Sequence, residues 1–95
     1  MSDNYRVVAL GKVDAELKFA ITKMPKAEAL AALVVLGGVY RRLKSAPFDF
    51  GEELYDLKVL GVQVRLGVQL PIAIQFGADE KNRIVVVQSA VILRQ

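Results

Sequence analysis

The chain has 95 residues and a net charge of +3, with 54% hydrophobic and 24% charged residues. This length and composition indicate one folded globular domain spanning residues 1–95, because two independent cores would need a longer chain. The absence of histidine and cysteine excludes imidazole acid–base catalysis, thiolate nucleophiles, disulfides and zinc sites built from these side chains. Any chemistry must use Lys, Arg, Tyr, Ser, Asp or Glu, and we expect neither a metal nor a cofactor.

The first part of the chain predicts a strand followed by a helix. Residues 5–10, YRVVAL, are short and rich in β-branched side chains, which is typical of a strand. From Val13 onward the apolar residues recur at i+4, i+7, i+8 and i+11, which is the spacing of an amphipathic helix. Pro25 must end this helix, because the residue before a proline is disfavoured in the α region.

A second helix is predicted over residues 26–44, with no charge between Glu28 and Arg41. Such a helix leaves little surface for water, so it must be covered on both sides or meet another chain. A homodimer through this helix is therefore one expectation. Gly37 and Gly38 in its interior each cost roughly 1 kcal/mol relative to alanine. They favour close packing of another element against the helix, and a hinge is the alternative.

The remainder of the chain is predicted to form strands. Residues 54–59 indicate a second strand and residues 83–92 a last one, which follows an acidic turn at residues 79–82. Both faces of the last strand are largely apolar, so we expect it to lie centrally in the sheet.

Residues 61–77, GVQVRLGVQLPIAIQFG, alternate with a period of two. Every even position from 62 to 76 is apolar, while the odd positions are small or polar. This pattern predicts a hairpin whose even side faces the core. A three-residue loop at residues 67–69 would preserve the alternation across the turn. Arg65, the single charge of the segment, is then expected on the polar side with Gln63 and Gln75, opposite the core.

The sequence also bears on where the protein works. The first residues, MSDNYRVV, lack the basic region and the apolar core of a secretory signal. The apolar segment at residues 29–40 is shorter than the roughly 20 residues that a spanning helix needs, and polar residues interrupt residues 61–77. We therefore expect a cytoplasmic protein that does not enter a membrane.

Three segments resemble the RelE/ParE superfamily of type II toxins, the plasmid-stabilisation type. Residues 46–57, APFDFGEELYDL, resemble its short linker and the Leu-x-x-Leu start of its sheet. Residues 62–67 with 71–76 resemble its Arg-x-Arg-x-Gly hairpin, and residues 79–91 resemble its acidic turn and valine-rich closing strand. The resemblance implies an α+β, RelE/ParE-like fold, in which a strand and two helices precede an antiparallel sheet of about four further strands.

The resemblance also implies a function. RelE-like members cleave mRNA in the ribosomal A site without a metal, using Lys and Arg side chains on the concave face of the sheet. ParE-like members poison gyrase instead, and an antitoxin holds both kinds inactive. This chain is thus expected to be the toxin of a type II toxin–antitoxin system, with an antitoxin protein as partner. The ribosome or mRNA is the expected target, with a metal-independent mRNA endoribonuclease as the implied enzyme, and a ParE-like gyrase inhibitor is an alternative.

The resemblance assigns candidate site residues by position. Arg65 and Arg94 match the catalytic cations of the RelE-like nucleases. Candidate contacts to RNA or to a partner are Tyr55, Lys58, Gln63 and Gln75. The simpler interpretation of Arg65 and Lys58 is that both are solvated residues on an exposed sheet face, and the same holds for Arg94.

Two positions depart from the pattern of the resembled nucleases. Gln63 is neutral where a basic residue is usual, and Pro71 stands in place of an arginine at the start of a strand. A phosphoryl-transfer site without a metal depends on several preplaced cations. A second interpretation is therefore a catalytically degenerate homolog that acts as a protein-binding module or homodimer. A third is an unrelated small α+β protein with the same order of elements.

Overall fold

One strand, two helices and four further strands follow one another in the computed structural model, which describes residues 4–93. The elements are β1 (Arg6–Ala9), α1 (Val13–Thr22), α2 (Lys26–Ser45), a 3₁₀ turn (Pro47–Asp49), β2 (Glu52–Leu57), β3 (Val62–Gln69), β4 (Ile72–Asp79) and β5 (Ile84–Ile92). The protein is thus α+β, as the sequence predicts, and its helices are separated at Pro25 as the sequence also predicts.

The five strands form one mixed sheet in the order β1-β5-β4-β3-β2. The first strand pairs with β5 in parallel, and all other neighbours are antiparallel. As predicted, the last strand lies inside the sheet, because β5 pairs with β1 on one side and β4 on the other, although the strand at the centre is β4. The two edges of the sheet are β1 and β2.

Both helices pack on the same face of the sheet, which we call the helix side. Val39 and Leu43 of α2 belong to one buried cluster with Phe76 of β4 and Val85 and Val87 of β5. A second buried cluster contains Leu17 and Ile21 of α1, Ala32 and Leu36 of α2 and Ile72 of β4. The strand residues of both clusters occupy a single face by register. We call the opposite face of the sheet the outer face.

The β3–β4 hairpin turns at Leu70 and Pro71, so the prediction of a loop at residues 67–69 is wrong. Gln69 pairs with Ile72, which leaves a two-residue loop with a cis Leu70–Pro71 peptide bond. Pro71 has no N–H to donate to a strand ladder and therefore falls in the loop. A two-residue loop reverses the alternation. The even positions of β4 face the helices, and the even positions of β3 face outward.

The segment between α2 and β2 is anchored by Phe50. Its ring lies nearly parallel to that of Phe76, with centroids 5.9 Å apart, and is 2% exposed. Phe50 also covers Gly67, where a Cβ atom would lie within 2.7 Å of three carbons of the Phe50 ring. Gly51 follows with φ of +76°, and a Cβ there would collide with the backbone of Leu66 and Gly67. This close approach explains the glycines at positions 51 and 67.

For the glycines of α2, the described part of the chain shows no such close approach. A Cβ atom on Gly37 would meet the Arg41 side chain at 3.7 Å, and one on Gly38 would meet Arg41 and Gln69 at 3.8 Å. These are ordinary van der Waals distances. Close packing of another element of the described chain therefore does not account for either glycine.

Alanine at two glycine positions should have opposite effects on stability. We expect Gly67→Ala to lower the free energy of unfolding by about 1–3 kcal/mol, because the new methyl group overpacks against Phe50. The matched control Gly37→Ala should raise it by up to about 1 kcal/mol, because alanine is the better helix former. Urea unfolding followed by circular dichroism measures both. Equal effects of the two substitutions would contradict the close contact between Gly67 and Phe50.

Candidate functional site

Arg65 lies on the helix side of the sheet, so its predicted position opposite the core is wrong. The reversed alternation of the hairpin places it opposite Phe76. Its Nε donates a hydrogen bond to the carbonyl oxygen of Phe50 at 3.0 Å, and its Nη2 donates to the carbonyl oxygen of Gly51 at 2.8 Å. Its Nη1 donates to the side-chain oxygen of Gln63. The guanidinium thus joins β3 to the backbone that leads into β2.

A second arginine completes the surroundings of Phe50. The guanidinium carbon of Arg42 lies 4.4 Å from the centroid of the Phe50 ring. The same side chain donates to the Gln69 amide oxygen at 3.4 Å. A cation over an aromatic face is attracted by the negative charge density of the ring. The Phe50 ring therefore contacts Phe76 and Arg42, and the Phe50 carbonyl oxygen accepts a hydrogen bond from Arg65.

The residues that the sequence assigned to one site are divided between two faces. Gln63 is beside Arg65 on the helix side. Tyr55 and Gln75 belong to the outer face by register, and Lys58 is in the exposed loop between β2 and β3. Arg94 lies outside the described residues. Arg65 and Gln63 are thus in contact, while Tyr55 and Gln75 lie on the other side of the sheet.

Two titratable groups have shifted pKa values. Burial, followed by the negative charge of Asp14, raises the pKa of Tyr40, and Lys18 opposes this shift. Hydrogen bonds from the Asn82 side chain and backbone lower the pKa of Asp79, which they hold in the β4–β5 turn. Within residues 4–93 no three acidic side chains come close enough together to hold a metal ion.

No helix of the described chain covers the outer face of the sheet. By register, its apolar side chains are Val8 from β1, Tyr55 and Leu57 from β2, Val62, Val64, Leu66 and Val68 from β3, and Ile84, Val86 and Val91 from β5. Across residues 4–93, none of them belongs to either buried cluster beneath the helices. Val68, Tyr55 and Val91 are each about half exposed, at 50%, 50% and 53%.

The middle of the outer face is a floor of small residues. β4 contributes Ala73 and Gly77 there, and both are buried. A Cβ atom on Gly77 would approach Cγ1 of Val62 at 3.1 Å, so the face is filled closely at this point. Val64, opposite Gly77, is completely buried although no helix covers it. The neighbouring side chains therefore shelter the centre of the face.

The polar side chains of the outer face either hydrogen-bond to one another or lie at the margin of the face. The Gln75 amide nitrogen donates to the amide oxygen of Gln88 at 2.9 Å, which pairs the two central amides. By register, the charged residues of the described outer face are Arg6, Glu52 and Asp79, and all three lie toward its ends or edges. The row of residues that pair across all five strands, Val8, Val86, Gly77, Val64 and Tyr55, carries no charge.

Comparisons with models of protein families, with curated proteins and with solved structures found no match to this chain. Of the helices in residues 4–93, neither is long and apolar enough to cross a membrane. The site must therefore be interpreted from its own chemistry.

Sequence reasoning missed the outer face because it assigned every even position of the hairpin to the core. Pro71 carried the signal that could have corrected this assignment. Because proline has no N–H to donate, it belongs in the turn. A two-residue turn there moves the even residues of β3 to the outer face.

Replacement of Arg65 should destabilise the fold. We expect Arg65→Ala to lower the free energy of unfolding by about 2 kcal/mol, because hydrogen bonds from a charged donor to two backbone carbonyls are lost. Arg65→Lys should recover only part of this loss, since a single ammonium cannot reproduce the planar fork. The exposed Arg41→Ala is the matched control and should change little. Unchanged urea midpoints for both Arg65 variants would contradict this structural role.

Proposed function

We propose that this chain is a protein-binding module that binds another protein chain through the outer face of its sheet. The observation that carries this proposal is a set of partly exposed apolar side chains on β2, β3 and β5, which no helix of the described chain covers; they include Tyr55, Leu66, Val68 and Val91. Monomeric soluble proteins rarely expose contiguous apolar patches larger than a few hundred square ångströms, and larger patches mark interaction sites. Covering such a surface by a partner is favourable, because apolar area is removed from water.

The position of Arg65 supports binding over catalysis. A cation that stabilises a developing phosphorane must direct its donors at the substrate. Here three nitrogens of the guanidinium already donate to Phe50, Gly51 and Gln63. A substrate phosphate would have to compete with two backbone carbonyls and would weaken the anchoring of the segment before β2.

A photo-crosslinking amino acid should report the bound partner. We expect p-benzoylphenylalanine at position 66, on the outer face, to give a discrete covalent adduct when cells producing the protein are irradiated. The same group at position 16, which is exposed on α1, is the matched control and should give none. Gel mobility and mass spectrometry of the purified product identify the adduct.

The control also separates binding from general stickiness. Adducts at both positions in equal yield would indicate unspecific contact, and no adduct at position 66 would overturn the proposal. A variant with Val68→Lys in addition to the crosslinker should lose the adduct, because the charge would be buried by the partner.

The toxin of a type II toxin–antitoxin system is the second candidate. The order of elements supports it, because one strand and two helices precede four consecutive strands that pair antiparallel with one another. In this proposal the chain is RelE-like or ParE-like, and an antitoxin protein covers it until the toxin is needed.

Induced expression tests the toxin proposal. The toxin proposal predicts growth arrest on induction, relieved by co-expression of an acidic, helix-rich product of a neighbouring reading frame. Arg65→Lys at matched protein level should reduce the arrest, and Arg41→Ala should retain it. Normal growth with abundant folded wild-type protein would rule out this candidate and would leave the binding module as the remaining proposal.

A further inference from the structure

We infer that the partner on the outer face is a second copy of this chain, packed sheet against sheet about a twofold axis. This inference rests on the proposed binding function and names its partner. In the resulting dimer, each sheet has its own helices on one side and the sheet of the other copy on the other side.

The size of the face suits such a dimer. Strands spaced about 4.8 Å apart with about 3.4 Å per residue make a five-stranded face of about 20 by 25 Å, or about 500 Å² in projection. Two copies would bury about 1,000 Å² in projection, which is about the smallest area expected of a biological interface. A small peptide or a single docked helix would leave part of the face uncovered.

The distribution of charge permits self-association. A twofold interface brings the same patch of both copies together, so a patch with a strong net charge would repel its own copy. The central row of the outer face, from Val8 through Val64 to Tyr55, carries no charge. Among the charged residues at the margin of the described outer face, Arg6 is positive, and Glu52 and Asp79 are negative. The outer faces of two copies therefore do not repel each other strongly.

The strand sequences also fit coverage on both sides. Strands buried on both faces are nearly continuous hydrophobic runs, whereas half-exposed strands alternate with polar residues. Val85 and Val87 of β5 face the helices, and Ile84, Val86 and Val91 on the opposite face are just as apolar. Gln88 and Ser89, at the β-bulge, are the polar residues between them. A second sheet at about 10 Å would give these outward residues the environment that their chemistry favours.

The exposed stripe on α2 is the competing surface for self-association, in line with the expected dimer through residues 26–44. Leu30, Leu33 and Val34 are 56%, 48% and 73% exposed. This stripe follows one helix, which also carries exposed Lys26 and Glu28 at its beginning. It is narrower than a five-stranded face, so the outer face is the larger apolar surface that a second copy can cover.

Sedimentation velocity of the purified chain tests the inference. We expect the 10.4 kDa chain to sediment as a dimer at tens of micromolar and to dissociate on dilution. Leu66→Lys and Val91→Lys, on two different strands of the outer face, should each weaken the dimer at least about tenfold, because a charge would be buried in the interface. Val34→Lys on α2 is the matched control and should leave the dimer intact.

The outcomes separate this inference from the proposed function. A wild-type monomer at high concentration, together with a position 66 adduct to a different protein in cells, would overturn self-association and retain the binding module. A monomer without any adduct would overturn both. A dimer broken by Val34→Lys and unaffected by the two outer-face variants would place the interface on α2 and overturn the inference.

Circular dichroism and thermal melts confirm that each variant is folded. Irradiation of the purified position 66 chain should yield an adduct of twice the chain mass, and its absence would count against the dimer.

Discussion

The seating of Phe50 over Gly67 is the contact on which the rest of the molecule depends. The ring joins the Phe76 side chain of β4 to the end of α2, through Arg42, and its carbonyl oxygen receives a hydrogen bond from Arg65. Phe50 thus contacts both the helix layer and the sheet. Because Gly67 has no side chain, the ring can lie directly on β3. The unusual torsion at Gly51 then turns the chain into β2.

Much of the fold could be predicted because it rests on local periodicity. The helix spacing from Val13, the stop at Pro25 and the apolar character of β5 each depend on nearby residues alone, and each is found in the structure. The hairpin could not be obtained in this way. Its alternation alone fits a three-residue loop at residues 67–69, and the two-residue loop is decided by Pro71 and by the ladder that pairs Gln69 with Ile72. The candidate site depended on that register, so Arg65 was expected on the wrong face. Its carbonyl partners come from a segment fifteen residues away, which no local pattern reveals.

The two arginines near Phe50 show how cations on a small sheet can be structural. Arg65 uses its planar fork on two successive carbonyl groups, and Arg42 lies over an aromatic ring. Both arrangements satisfy the charge without a substrate. The apolar side of β3 has the opposite character, because its side chains lack any covering layer in the described chain. On the helix side both guanidinium groups are thus engaged within the fold, and the outer face is the surface to which we assign the partner.

The length of the loop at Leu70 and Pro71 determines which side chains of β3 lie on the outer face of the sheet. One added residue would restore the alternation and exchange the two sides of β3, because side chains alternate strictly along a strand. Val62, Leu66 and Val68 would move beneath the helices, and Gln63 and Arg65 would turn toward solvent. β3 would then present glutamine and arginine side chains on the outer face in place of aliphatic ones, without any substitution in a strand. Evolution of a sheet of this kind can thus exchange one type of partner for another by an insertion at a turn.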